Sequence, residues 1–278
     1  MGNLNIATDS ECINVVPVHF TYVTATTSKG SANATFGVLK DIIDGKIGAV
    51  MTHGADNAGK VRIDSAIGLN EFYSDRNGTE ELVSVKRNEG GFVHITNTLA
   101  PDEKTHNTFT ADMLITSVSQ IDGDEEKGTK DKAIVRGCIF DFRKAILPVE
   151  FSVTNDRGMD YFLGLGASTK EPVFTKVWGR QISQTTMDKT IEESAWGETL
   201  VRETPRTRRD WVITGSNPEP YVWDEEGSIT AAELTEAMAD RETYLASIKK
   251  RQDEYKASKA AAAAVPPAAT QEKGNFVF

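Results

Sequence analysis

Residues 61–87 read VRIDSAIGLNEFYSDRNGTEELVSVKR, two runs rich in β-branched and aromatic residues on either side of Asp75-Arg76-Asn77-Gly78. Asn-Gly between such runs is the strongest short-range hairpin signal, because both residues tolerate the positive φ of a type I′ turn. The pattern predicts a hairpin of 61–74 on 80–87, and Gly90-Gly91 predicts a sharp bend into 92–96. Outward from this hairpin, short Val, Ile, Thr and Phe runs separated by Gly, Asn and Asp recur from residue 12 to about 215. Further strands are expected at 112–120, 133–142, 149–154, 161–165, 173–181 and 211–214, with 13–24 an earlier one broken by Pro17. The insert DGDEEKGTKD at 122–131 reads as a solvated hairpin tip. Short strands without βαβ alternation predict a mainly β chain closed into a barrel or a sandwich.

The last quarter changes character. Residues 216–229 carry Pro218, Pro220 and acidic side chains, and read as a linker that packs locally through Tyr221 and Trp223. Thr230-Ala231-Ala232-Glu233 is a capping box, in which the Thr hydroxyl takes one orphan amide and the Glu reaches back to another. The helix it opens places Leu234, Met238, Leu245, Ile248 and Tyr255 on a narrow apolar stripe, broken by Arg241 and Gln252. It is expected to end near Ser258, fray through Ala260–Ala264 and stop at Pro266-Pro267. The segment VPPAATQEKGNFVF then reads as a flexible tail tipped by Phe276 and Phe278.

The 278 residues carry 31 Lys and Arg against 41 Asp and Glu, a net charge of −10 at a mean hydropathy of −0.37. Phosphate binders usually leave a basic footprint, so the sum argues against a nucleic-acid partner. The distribution reverses that reading. Glu219 to Glu242 holds eight acidic residues and one basic, so the rest of the chain is close to neutral. Arg202, Arg206, Arg208 and Arg209 cluster just before it, and an acidic segment parked on a basic groove would compete with DNA. No run of about 20 apolar residues suggests a membrane span. The start, MGNLNIATDS, has no basic then apolar pattern of a leader, so the expected compartment is cytoplasmic. Two distant cysteines, Cys12 and Cys138, support neither a disulfide framework nor a zinc cluster.

Catalytic motifs are not evident, and the chain is expected to be neither an enzyme nor a user of a cofactor or metal. Gly54-Ala-Asp-Asn-Ala-Gly59-Lys60 matches the Gly and Lys spacing of a phosphate loop, but Val61 stands where a magnesium-ligating Ser or Thr belongs. The more informative stretch is Phe174-Thr-Lys176-Val-Trp178-Gly-Arg180. On a strand, Phe174, Lys176, Trp178 and Arg180 share one face. Alternating rings and cations suit a single strand, whose bases stack and whose phosphates pair. The competing reading puts the two rings in the core while the cations snorkel. Tyr73, Lys86 and Arg87 near the hairpin turn, Phe92 beyond it, and Arg206, Arg208, Arg209 and Trp211 extend the candidate path.

EPVFTKVWGRQIS (171–183) resembles the late strand of bacterial and phage single-stranded DNA-binding proteins. TRRDWVITGSNPEPYVWDEEGSITAAELTEAMADRETYLASIKKRQDEYKAS (207–258) is similar in style to the ends of phage OB-fold DNA-binding proteins. The resemblance implies an OB-like barrel elaborated with extra strands, followed by a C-terminal helix and flexible tail. It implies a non-catalytic role in phage replication or recombination, in the host cytoplasm. In that family an acidic tail with an aromatic end recruits replication proteins. This chain departs there, because its tail has aromatics but almost no net acid, leaving recruitment through Phe276 and Phe278 open. The expected organisation is a body over 1–215, a linker over 216–229, a helix over 230–258 and a tail over 259–278. The alternative is a phage structural or assembly protein whose helix is a homo-oligomerisation arm.

Overall fold

A computed structural model describes residues 2–76, 78–123, 130–192, 196, 197, 200–225 and 228–264. The chain is mainly β, with a closed five-stranded barrel and a long C-terminal helix. It begins with β1 (Gly2–Ala7) and β2 (Val15–Phe20), α1 (Ala34–Ile43) and the single turn α2 (Val50–His53). Next come β3 (Lys60–Arg76) and β4 (Thr79–Thr96), which complete a sheet in the order β1-β2-β4-β3. The period-two burial of β2 buries Val16, Val18 and Phe20, and Val93 of β4 joins the last two in a core against Val38 and Leu39 of α1. Pro17 does not break β2, which pairs with β1 through it.

The hairpin closes on Arg76↔Thr79, with Asn77 outside the described residues. No sharp bend follows at Gly90-Gly91. The strand runs on to Thr96 through a bulge, with Gly90 and Gly91 facing Ser65 alone. A Cβ on Gly91 would lie 2.1 Å from the Asp64 carbonyl oxygen, so glycine serves close approach here.

The barrel holds β5 (Thr108–Ile121), β6 (Lys132–Phe140), β7 (Ile146–Val153), β8 (Val173–Glu192) and β9 (Leu200–Ser216) in the order β5-β6-β7-β9-β8. Counted within the barrel this is 1-2-3-5-4, and β5–β8 pairing closes it, which makes the barrel OB-like. Residues 161–165, expected as a strand, lie in or beside α3 (Asp156–Gly164) between the third and fourth barrel strands. Asn155 caps it by accepting from the Gly158 amide, and Phe162 plugs the barrel interior beside Met113, Val135 and Phe151. β7 and β9 meet at a single parallel bridge, Ser152↔Val212. The β3–β4 hairpin covers that seam, laying Ile67 and Leu69 against the barrel core.

The helix α4 (Ala231–Ala264) starts at the expected capping box. Glu233 Oε2 accepts from the Thr230 amide at 3.0 Å, and the Glu233 amide donates to Thr230 Oγ1 at 3.1 Å. Lys144 also donates to Glu233, and these bonds hold its carboxyl down to about 2. A lowered carboxylate stabilises the fold above its unfolded value of about 4.3, and the contribution is lost as pH falls toward 2. Acid titration of Trp223 fluorescence should therefore show a transition in that window, and Glu233→Gln should remove its contribution.

The face α4 buries is Leu234, Ala237, Arg241, Leu245, Ile248 and Gln252. Arg241 and Gln252 do not interrupt the stripe. They are its polar members, meeting Glu71 and the Tyr73 backbone on the open edge of β3. Upstream, Leu234, Ala237, Ile229, Tyr221 and Trp223 pack on the outer barrel side chains Leu114, Cys138, Ile146 and Phe174. Burial there pushes the Cys138 thiol up to about 11. No helix among the described residues is long and apolar enough to cross a membrane.

Candidate nucleic-acid interface

The alternation expected on β8 is present. Thr175 and Val177 are fully buried and point inward, while Phe174, Lys176, Trp178 and Arg180 point outward. They do not share an environment. Phe174 is only 4% exposed, under the rings of Phe140 and Tyr221 at 6.1 and 5.1 Å, and this removes it as a stacking platform. Lys176 stands 3.9 Å from Asp112, which also accepts from the Tyr221 hydroxyl. Trp178 is 41% exposed and lies over Gly215, where a Cβ would come 2.4 Å from the indole nitrogen. A glycine is what lets the ring lie flat and present one face outward. Arg180 is half-buried, with no carboxylate of the described residues paired to it.

Past Arg180, β8 leaves β5 and pairs with β9 alone out to Glu192↔Leu200. Its root is clamped. Asn88 Nδ2 donates to Gln181 Oε1 at 2.8 Å and Gln181 Nε2 donates back to Asn88 Oδ1 at 2.7 Å, and the Ser183 amide donates to Asn14 Oδ1 at 2.6 Å. From Ser183 onward the two strands project about 30 Å, at about 3.3 Å per residue. Positions 202 and 208 lie on one side of this arm and 209 on the other. Arg202, Arg208 and Arg209 are exposed, and Arg208 lies 3.5 Å from Asp210. The Arg206 side chain, Phe276 and Phe278 lie outside the described residues.

The other expected residues are placed elsewhere. Trp211 is 8% exposed and packs inside the barrel with its ring tilted against Phe109 at 5.3 Å, so it is core and not interface. Lys86 runs into the β7–β9 seam, donates to the Glu150 carbonyl and sits over the Phe151 and Trp211 rings at 5.0 and 6.0 Å. Burial lowers its pKa against the pull of Glu150 and Asp210, and its role is to pin the hairpin to the barrel. Tyr73 is held by Gln252 and lies under Lys249. Arg87 pairs with Glu89 at 2.5 Å, and Phe92 is exposed on the amino-terminal sheet beside His94.

The fold therefore brings together Trp178, Arg180 and the arm arginines, and separates them from the hairpin tip. A model of the YorF family matches residues 1–254. The chain belongs to the YorF family. No curated protein and no solved structure matches the chain.

Proposed function

We propose that this YorF protein binds single-stranded DNA without catalysis, as an accessory to phage replication or recombination. The observation that carries the reading is the arm. It extends the connection between the fourth and fifth strands of an OB-like barrel, one of the two connections that flank oligonucleotides on such barrels. It carries exposed arginines, and Trp178 and Arg180 stand on the outer face of the strand that enters it. Ile229, Leu234, Ala237 and Tyr221 cover the outer barrel face at Cys138, Ile146 and Phe174, while Trp178 beyond that cover stays exposed. The assembly alternative rests on a helix stripe that is engaged within the same chain.

The test is fluorescence anisotropy with labelled single- and double-stranded oligonucleotides of equal length, between about 50 and 200 mM salt. Preference for the single strand, weakening as salt rises, is the expected result. Trp178→Ala should weaken it by about 1–3 kcal/mol, the worth of one stacked base, with an unchanged melting temperature. Absence of binding to either form at low salt would overturn the proposal.

A further inference from the structure

Between the open edge of β3 and α4 runs a groove of about 420 Å³, lined by Asn70, Arg87, Tyr244, Arg251 and Tyr255 among others. Nothing in the barrel or the arm accounts for it. We infer that this groove is a second contact for the same single strand, an inference that rests on the function proposed above.

Three observations carry it. Tyr244, Arg251 and Tyr255 follow one another at spacings of seven and four, so they stand on one side of α4, beside its docking face. The rings are 45% and 67% exposed although the helix around them is docked. Rings left open next to an occupied apolar stripe are not there to hold the helix down. Charge is the second point. Arg251 has no carboxylate partner among the described residues, and its Nε donates only to the Ser247 carbonyl at 3.3 Å. Glu71, the acid in the lining, is neutralised by Arg241, and Arg87 pairs with Glu89, so Arg251 is the uncompensated charge that the groove presents. Its occupant is therefore an anion with flat, stackable groups.

The third point is length. Tyr244 and Tyr255 are eleven residues apart, about 16 Å along the helix axis at 1.5 Å per residue. Stacked bases rise about 3.4 Å, so the rings address separate bases of a strand and do not sandwich one mononucleotide. The groove is open to solvent, as an extended polymer requires. Arg87, half-satisfied by Glu89, and Asn70 offer donors on the opposite wall.

The test uses the full chain and labelled oligothymidylates of about 12 and about 40 nucleotides, one within the site size of a single OB barrel and one well beyond it. The variants are Tyr244→Ala with Tyr255→Ala, Tyr244→Phe with Tyr255→Phe, and Arg251→Gln. The alanine pair should lose about tenfold in affinity for the long oligomer and keep its affinity for the short one, while the phenylalanine pair keeps both. Arg251→Gln should lower the slope of log affinity against log salt by about 0.7 on the long oligomer. Unchanged long-oligomer binding in both the alanine pair and Arg251→Gln overturns the inference and leaves the proposed function standing. Failure of the unmodified protein to bind either oligomer removes the function and the groove together.

Discussion

Replacing Arg241 with leucine is expected to destabilise the protein by about 3–5 kcal/mol, the cost of leaving a buried charge without its partner. Glu71 has 1% of its side chain exposed, and both its oxygens accept from the Arg241 guanidinium, which also reaches the Ile146 carbonyl at 3.4 Å. This one fork joins α4, the edge of β3 and the start of β7. The size of the loss comes from Glu71, which stays behind, and not from the packing of Arg241. The double variant Glu71→Leu with Arg241→Leu should therefore recover most of the stability, since apolar replacement of a whole buried pair is often neutral. Urea denaturation of the two single variants and the double variant measures this as a coupling energy. Equal loss in the double and in Arg241→Leu would show that packing, not the charge, is what Arg241 provides.

That pair also shows where the sequence misleads. The hairpin was legible because its signal is local, Asn-Gly between two β-rich runs, and the register closes where that signal places it. The start of α4 was legible for the same reason, since a capping box is four consecutive residues. Arg241 and Gln252 were not legible as docking residues. A periodicity argument scores them as breaks in an apolar stripe, yet their partners, Glu71 and the Tyr73 backbone, lie more than 160 residues away. Residues 161–165 failed for a related reason. A short apolar run does not distinguish strand from helix, and the deciding residue is the Asn155 cap six positions earlier.

The candidate interface divides along the same line. Period two correctly predicts that Phe174, Lys176, Trp178 and Arg180 share a side. It is silent on what covers them, and Tyr221, arriving 47 residues later, closes over Phe174 while Trp178 stays open. Trp211 reads as an aromatic next to arginines, but the strand turns it inward while Arg208 stays out. A linear cluster on a strand is always split between two faces, so the basic run contributes arginines to both sides of the arm and a ring to the core.

Removing three of the arm's cations is expected to have the largest effect on binding. Arg202→Ala, Arg208→Ala and Arg209→Ala combined should lower single-strand affinity by roughly ten- to a hundredfold at low salt. The salt slope should fall by about 2, at about 0.7 for each phosphate no longer neutralised. The slope is the decisive reading, because a misfolded arm would lower affinity without a defined change in counterion release. The lysine version of the triple variant separates charge from geometry. Single strands present phosphates along a flexible backbone, so three point charges should restore the slope, whereas loss of the planar guanidinium fork should leave part of the affinity missing. The barrel should respond little, because the largely exposed Arg208–Asp210 pair contributes about 1 kcal/mol or less. The arm is rooted through Gln181 and Ser183, and the three arginines lie beyond or beside that clamp, on strands whose pairing needs only their backbones. An unchanged melting temperature is thus part of the expected result. A triple alanine variant that keeps both its affinity and its salt slope would show that the arm does not carry the strand.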